Sequence, residues 1–155
     1  MIEIEHKYLV RKDLWYALHK PAGVEIRQGY LHAEPDKTIR IRISGTRAFI
    51  TIKGPSTNAS RAEYEYLIPL ADAEEMLQLC TIPLIEKVRY KIEFAGKTWE
   101  IDEFFGENEG LIIAEIELNS TNEEYAIPSW VGDDVTKDSR FYNSYLAQHP
   151  YSGWE

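Results

Sequence analysis

The chain has 155 residues, which suits one domain spanning residues 1–155 and leaves little room for a second. Hydrophobic residues make up 44% of the sequence and charged residues 28%, a globular composition that excludes a disordered chain. The 17 Lys and Arg residues against 26 Asp and Glu residues give a net charge of −9, which argues against nucleic-acid binding because such binding needs a basic surface.

Cysteine content and apolar runs predict the compartment. The single cysteine, Cys80, cannot form an internal disulfide, which favours a reducing environment. The first ten residues lack the apolar core of a signal peptide, and no apolar run approaches the roughly 20 residues that span a bilayer. We therefore expect a cytoplasmic protein that binds no membrane.

Eight segments alternate apolar and polar residues with the period of two that is typical of β-strands. They are Ile2–Val10, Val24–Leu31, Lys37–Ser44, Arg47–Lys53, Arg61–Pro69, Ile85–Phe94, Lys97–Phe104 and Leu111–Leu118. Glycines in the links at 45–46, 95–96 and 106–110 can adopt the positive φ of tight turns, so we expect antiparallel hairpins there.

Helical signals lie between and after these strands. The sequence predicts short helices over Asp13–Lys20, Asp72–Cys80 and Asp138–His149. Asp72 is the expected N-cap of the second helix, and a similar capping pattern at 121–124 predicts one more helical turn.

Charged residues occupy one face of nearly every predicted strand, because residues two apart in a strand share a face. A solvated outer face is the common explanation, but here acidic pairs and basic pairs are segregated by strand. A closed sheet of eight strands has a lumen that can hold one small ligand. We therefore predict an α+β fold, mainly antiparallel β: an eight-stranded closed β-tunnel with a charged lumen and covering helices.

The outer-membrane barrel is the alternative with a polar lumen, and the missing signal peptide and aromatic girdles argue against it. In a buried lumen, carboxylates without His or Cys beside them favour hard cations such as Mg²⁺ or Mn²⁺. Clustered Arg and Lys favour phosphate oxygens. A lumen with both predicts polyphosphate or nucleotide chemistry.

Nine motifs in order resemble the CYTH superfamily, the triphosphate tunnel metalloenzymes. They are EIEHKYLV at 3–10, RQGYL at 27–31, IRIR at 39–42, TIKG at 51–54, SRAEYEY at 60–66, EKVRY at 86–90, WEIDEF at 99–104, AEIEL at 114–118 and DVTKDSRFYN at 134–143. The resemblance implies an antiparallel eight-stranded β-tunnel. His6 departs from the arginine that is common in relatives, and alternation places it on the outer face.

The resemblance also implies roles for individual residues. The candidate metal ligands are Glu3, Glu5, Asp102, Glu115 and Glu117. The candidate triphosphate-binding residues are Lys7, Arg40, Arg42, Lys53, Arg89 and Arg140. Lys87 and Tyr30 match a lysine–tyrosine pair that handles the attacking water, and Glu63, Glu65 and Glu100 are interpreted as counter-ions of the basic residues.

The expected activity is metal-dependent hydrolysis of inorganic tripolyphosphate to pyrophosphate and phosphate, with Mg²⁺ or Mn²⁺ as cofactor. A class IV adenylate cyclase, a thiamine or nucleoside triphosphatase, and a non-catalytic polyphosphate-binding module remain alternatives. The sequence also leaves open whether the apolar outer face of the tunnel is covered by the chain's own helices or by a second copy in a homodimer.

Overall fold

The computed structural model describes residues 1–154 and contains nine β-strands. They are β1 (Ile2–Val10), β2 (Val24–Glu34), β3 (Lys37–Ser44), β4 (Arg47–Lys53), β5 (Ser60–Ile68), β6 (Ile85–Phe94), β7 (Lys97–Phe104), β8 (Ile112–Glu117) and β9 (Val131–Asp134). The helices are α1 (Lys12–Ala17), α2 (Leu70–Gln78) and α3 (Asn143–Gln148), with single 3₁₀ turns at Gly106–Asn108, Ser139–Phe141 and Tyr151–Gly153.

The strands form one antiparallel sheet in the order β5-β4-β3-β2-β6-β7-β8-β1-β9. The sheet closes because the first part of β1 also pairs with β5, Ile2 opposite Ala62 and Ile4 opposite Ser60. The later part of β1 pairs on that same edge with β9, through Tyr8 and Val10. The predicted eight-stranded closed tunnel is therefore confirmed, with one additional strand.

The outer face of the barrel is apolar and is covered in two places. One cluster covers β1, β7 and β8, and Trp15 of α1 packs there against Trp130 and Tyr90. The second lies under α2, where Ala73 and Leu77 pack on the outer side of β3 and β4. Trp99 lies in the first cluster, on the outer face as alternation predicts.

The lumen becomes apolar at one end. Along β7 and β8 the inward-facing positions change from carboxylates to Phe104 and Ile113, which pack with Leu146 of α3. Apolar burial there fixes the C-terminal segment against the barrel. The polar lumen thus lies between this plug and the opposite mouth.

Several predicted boundaries are wrong for local reasons. Pro69 follows β5 and is the N-cap of α2, so Asp72 lies inside the first turn of the helix and is not its N-cap. Its negative charge there interacts favourably with the helix dipole. The C-terminal helix is split into a 3₁₀ turn, capped by Asp138, and the short α3. Residues 121–122 form a turn with no helix after it. The chain is then irregular to a second turn at 129–130, which leads into β9, a strand too short to give a periodic signal.

In the part of the chain that the structure describes, no helix has the length and apolarity to cross a membrane.

Candidate functional site

A polar cavity of about 280 Å³ occupies the open part of the lumen. Alternation along the strands explains its lining, because charged positions of β1 and β3 to β8 point inward and apolar positions point outward. Ten of the predicted site residues line it: Glu3, Glu5, Lys7, Tyr30, Arg40, Arg42, Lys53, Arg89, Glu115 and Glu117. Glu63, Glu65 and Glu100, the predicted counter-ions, line it as well.

The wall built from β1 and β8 is acidic. Glu5 and Glu117 are cross-strand partners, and Lys7 lies opposite Glu115 with its Nζ 2.5 Å from Glu115 Oε2 and 3.2 Å from Glu5 Oε1. Burial and the charge of Glu115 raise the pKa of Glu5 to about 7. Burial and the charges of Glu3 and Glu5 raise the pKa of Glu117. Lys7 alone therefore does not neutralise the negative charge of the three carboxylates on this wall.

Glu3 extends the acidic wall toward β4 and β5. Its Oε1 accepts a hydrogen bond from Lys53 Nζ at 2.8 Å, and Lys53 lies 3.5 Å from Glu63 Oε2. Burial raises the pKa of Glu3 in spite of Lys53. Glu3 and Glu63 therefore share one cation, Lys53, in the cavity wall.

The wall built from β3 carries excess positive charge. Arg40 Nη2 donates to Thr51 Oγ1 at 3.1 Å and lies 3.5 Å from Glu65 Oε2, while its buried Nε has no partner among the described residues. Burial, together with Arg40 and Arg89, lowers the pKa of Arg42 to about 9. Crowded guanidinium groups of this kind favour a polyanion that supplies oxygen acceptors.

Asp102 and Lys87 form a layer beneath the cavity. Arg89 binds Asp102 through two hydrogen bonds of 2.7 and 2.8 Å, and Lys87 Nζ lies 2.7 Å from Asp102 Oδ2. Burial disfavours the carboxylate, but Arg89 and Lys87 outweigh it and lower the pKa of Asp102. Burial, with Arg89 and Arg42 nearby, lowers the pKa of Lys87 to about 7. Neither Lys87 nor Asp102 lines the cavity.

Arg140 is placed away from the cavity. Its guanidinium lies 2.6 Å from Asp138 Oδ2, and its Cζ is 5.6 Å from the ring of Phe141 and 5.5 Å from that of Trp154. The side chain is 58% exposed. The sequence pattern could not show this, because Arg140 lies in a 3₁₀ turn outside the strand periodicity.

The structure also brings residues to the site that the sequence reasoning missed. Thr51 and Arg61 share the inward face of their strands with predicted residues, so alternation could have identified them. Arg61 donates two hydrogen bonds to Gly54 O, which ties the 54–60 loop to the mouth. Asn143 at the start of α3 also lines the cavity, and no periodic pattern could have signalled it.

His6 lies on the outer face, as alternation predicts, and its Nδ1 hydrogen-bonds Tyr125 Oη at 2.6 Å. It does not contribute to the lining of the polar cavity.

The donor set of the acidic wall fits a hard divalent cation. Across residues 1–154 no group of three or more His, Cys, Asp or Glu side chains is already arranged around a metal position. The carboxylates of Glu5, Glu115 and Glu117 nevertheless supply oxygen donors that Mg²⁺ and Mn²⁺ prefer. Burial and the charge of Glu115 raise the pKa of Glu5, and a cation bound beside it would favour its charged form.

Comparisons with known proteins agree with this geometry. The model of the CYTH domain family matches residues 1–142. The chain is 49% identical over 154 residues to an inorganic triphosphatase of Acetivibrio thermocellus, covering 99% of this chain and 97% of that protein. It is 36% identical over 151 residues to an inorganic triphosphatase of Nitrosomonas europaea, covering 95% and 97%.

Several solved structures have a fold similar to that of this chain. The crystal structure of an inorganic triphosphatase matches with a TM-score of 0.65 and 31% identity, covering 94% of this chain and 93% of that one. A Hippeastrum protein described as having a dominant triphosphatase activity matches with a TM-score of 0.58 at 15% identity, covering 77% and 80%, which supports the fold alone. The tunnel, its charged lining and the family match lead to one conclusion: the chain belongs to the CYTH domain family.

Proposed function

We propose that the protein hydrolyses inorganic tripolyphosphate to pyrophosphate and phosphate inside the barrel. The observation that carries the proposal is the cavity in which an acidic wall faces a wall of arginines. Relatives named inorganic triphosphatase at 49% and 36% identity support the same activity. Water attacks the terminal phosphorus, the bridging P–O bond breaks, and pyrophosphate leaves.

We propose that the reaction depends on Mg²⁺ or Mn²⁺. Glu3, Glu5, Glu115 and Glu117 would hold the ion on the acidic wall, and Asp102 would support the site from the layer beneath. The ion supplies neutralisation of charge on the phosphate oxygens. Because the lumen pairs most of its cations with carboxylates, this additional positive charge would balance the charge that the phosphate chain gains as it reacts.

The basic residues would hold the phosphate chain in line for attack. Arg40, Arg42 and Arg89 present guanidinium groups to the cavity, and Lys7 and Lys53 present ammonium groups beside the carboxylates. Phosphoryl transfer relies mainly on positioning and charge stabilisation, which these groups provide. Arg140 would join them only by leaving Asp138, since that contact holds it outside the cavity.

Tyr30 and Lys87 are our candidates for orienting the attacking water. Tyr30 lines the cavity, from where it would contact that water directly. Lys87 is fully buried, and its Nζ donates to Asn143 Oδ1 at 2.9 Å. Lys87 would therefore act as a positioning residue, by fixing the Asn143 side chain in the cavity wall and so the space left for that water.

The test is phosphate release from tripolyphosphate, ATP and thiamine triphosphate, each with Mg²⁺, with Mn²⁺ and with EDTA. We expect fast release from tripolyphosphate with either metal, far slower release from the other two substrates, and none in EDTA. Faster release from ATP or thiamine triphosphate would replace the proposed substrate. Cyclic AMP in the ATP sample would identify a cyclase, and binding without any release would identify a polyphosphate-binding module.

We further propose a cytoplasmic homodimer. The single Cys80 suits a reducing compartment, which cell fractionation tests.

The outer face of β5 is where we propose that two copies meet. Tyr64 and Tyr66 on this face are 49% and 59% exposed, and neither α1 nor α2 covers them. A second copy that packs its own β5 face against them would remove this apolar surface from water.

A further inference from the structure

A chain of hydrogen bonds fixes the orientation of the Asn143 amide at the cavity wall. Arg42 Nε donates to Gln28 Oε1 at 2.9 Å, and Gln28 Nε2 donates to Asn143 Oδ1 at 3.0 Å. Lys87 Nζ donates to the same Asn143 oxygen at 2.9 Å. Gln28 and Lys87 are fully buried, whereas Asn143 lines the cavity.

The polarity of this chain follows from its first member. An arginine Nε carries a hydrogen and can only donate, so the Gln28 atom that faces it must be the amide oxygen. The other end of Gln28 is then the NH₂ group, and the Asn143 atom that receives its hydrogen bond must be Oδ1. This assignment holds whether Lys87 is charged or neutral.

The Asn143 NH₂ group consequently has no role in the protein's own bonding. Its Oδ1 accepts twice, and among the described residues no hydrogen bond uses Nδ2. The side chain is in the cavity wall, between Tyr142 and Ser144. Two N–H donors fixed in direction and lacking a protein acceptor suit an oxygen of a bound ligand.

We propose that Asn143 binds a non-bridging oxygen of the tripolyphosphate through Nδ2, and that Gln28 is the positioning residue that keeps this donor turned toward the cavity. The proposal rests on the proposed function and adds a substrate contact to it. A neutral amide donor would add a hydrogen bond to the phosphate chain. Unlike the arginines, it needs no carboxylate counter-ion. It also links the C-terminal segment to substrate binding.

The main test is Asn143→Asp, because a carboxylate keeps both acceptor bonds, from Gln28 and Lys87, and removes only the NH₂ donors. Tripolyphosphate binding is measured by calorimetry in EDTA, and KM and kcat are measured with Mg²⁺. We expect affinity to fall and KM to rise by about tenfold or more, since a hydrogen bond to a charged oxygen is lost. The melting temperature should stay near that of the wild type.

Ser144→Asp is the matched control for charge, since it adds a carboxylate to the same wall and leaves the Asn143 amide in place. Equal losses in S144D and N143D would mean repulsion alone and would overturn the proposal. Wild-type affinity and KM in N143D would also overturn it, even with hydrolysis intact. A wild-type protein that neither binds nor hydrolyses tripolyphosphate would instead overturn the proposed function.

Gln28→Glu provides a second variant if N143D does not fold. The carboxylate introduced at this position would still accept from Arg42, but it would draw the Asn143 NH₂ toward itself and away from the cavity. We expect weaker tripolyphosphate binding in this variant also. Binding equal to that of the wild type in Q28E would exclude Gln28 as a positioning residue.

Discussion

The carboxylates of the lumen differ in how far their charge is balanced. Asp102 receives two hydrogen bonds from Arg89 and one from Lys87, so its negative charge is fully compensated. Glu117 has no ion pair among the described residues, and the charges of Glu3 and Glu5 act against its ionisation. The carboxylates with uncompensated charge are therefore the ones on which metal dependence should rely.

Glu117→Gln should abolish turnover and preserve anion binding. The substitution removes a charged oxygen donor for the cation and lowers repulsion toward the phosphate chain, so we expect kcat to fall by about 10²-fold or more. Tripolyphosphate affinity in EDTA should be unchanged or higher. Phosphate release and calorimetry measure the two effects, with the exposed Glu124→Gln as the control; loss of binding together with turnover would contradict the assignment.

Glu5 should make the metal-free protein less stable as pH rises. Its pKa is about 7 in the folded state against an ordinary value of 4.5, so the folded state binds more protons between those values. The free energy of unfolding therefore decreases from about pH 5 to pH 7 and levels off above.

Urea unfolding in EDTA checks this effect, with Glu5→Gln as the reference. The difference between wild type and E5Q should change across the window from about pH 5 to pH 7 in the stated direction. Mg²⁺ should reduce it, because a bound cation replaces the missing counter-charge. Parallel curves for the two proteins would show that Glu5 ionises normally.

At the scale of elements, the connection after α2 packs tightly on β2. A Cβ at Gly29 would lie 2.7 Å from Cys80 Sγ and 2.7 Å from Leu84 Cδ2, so the outer face of this strand accommodates no side chain here. At Gly29 the segment after α2 therefore packs directly on the backbone of the barrel.

Gly29→Ala should lower the free energy of unfolding by about 1–3 kcal/mol because it overpacks this contact. Cys80→Ala removes one of the two clashing atoms, so the double variant should recover part of the loss. Chemical denaturation of the four proteins in the cycle measures the coupling. Gly153→Ala, where a Cβ meets nothing within 4 Å, is the control; additive effects of G29A and C80A would contradict the packing.

The strands of the barrel could be predicted because the alternation of apolar and polar residues is a local signal. In β3, for example, Arg40 and Arg42 alternate with isoleucines, so the charged face can be identified from the sequence. The same rule placed most of the lining residues. It failed where position depends on packing: Arg140 and Asn143 lie in irregular or short helical structure, and tertiary contacts decide which of them reaches the cavity. The short β9 also depends on pairing with β1 and has little signal of its own.

At the scale of the whole molecule, the net charge of −9 does not determine what the lumen binds. The field in the cavity is set by the charged side chains that line it, and the low-dielectric barrel wall strengthens their effect. The carboxylates of the acidic wall lie in the same cavity, so the side of the lumen that the arginines occupy, and not the sum of charges, decides where an anion binds.

Tyr66→Glu should convert the proposed dimer to a monomer. A carboxylate at this exposed position of β5 would be buried without a partner in a symmetric interface. Light scattering coupled to size-exclusion chromatography should give a dimer mass for the wild type and half that mass for Y66E. Tyr16→Glu on α1, where the tyrosine is 61% exposed against 59% for Tyr66, is the control and should leave the dimer intact. A monomeric wild type would exclude the dimer.

The closure of the barrel between β1 and β5 involves only the first residues of the chain. Three register pairs join the two strands, Ile2 to Ile4 with Ser60 to Ala62, and the Glu63 amide donates to Met1 O. Amide protons along this seam should therefore exchange with solvent faster than those between β2 and β3, whose ladder is much longer. Removal of the first four residues should therefore open the barrel between β1 and β5, although these residues are a small fraction of the chain.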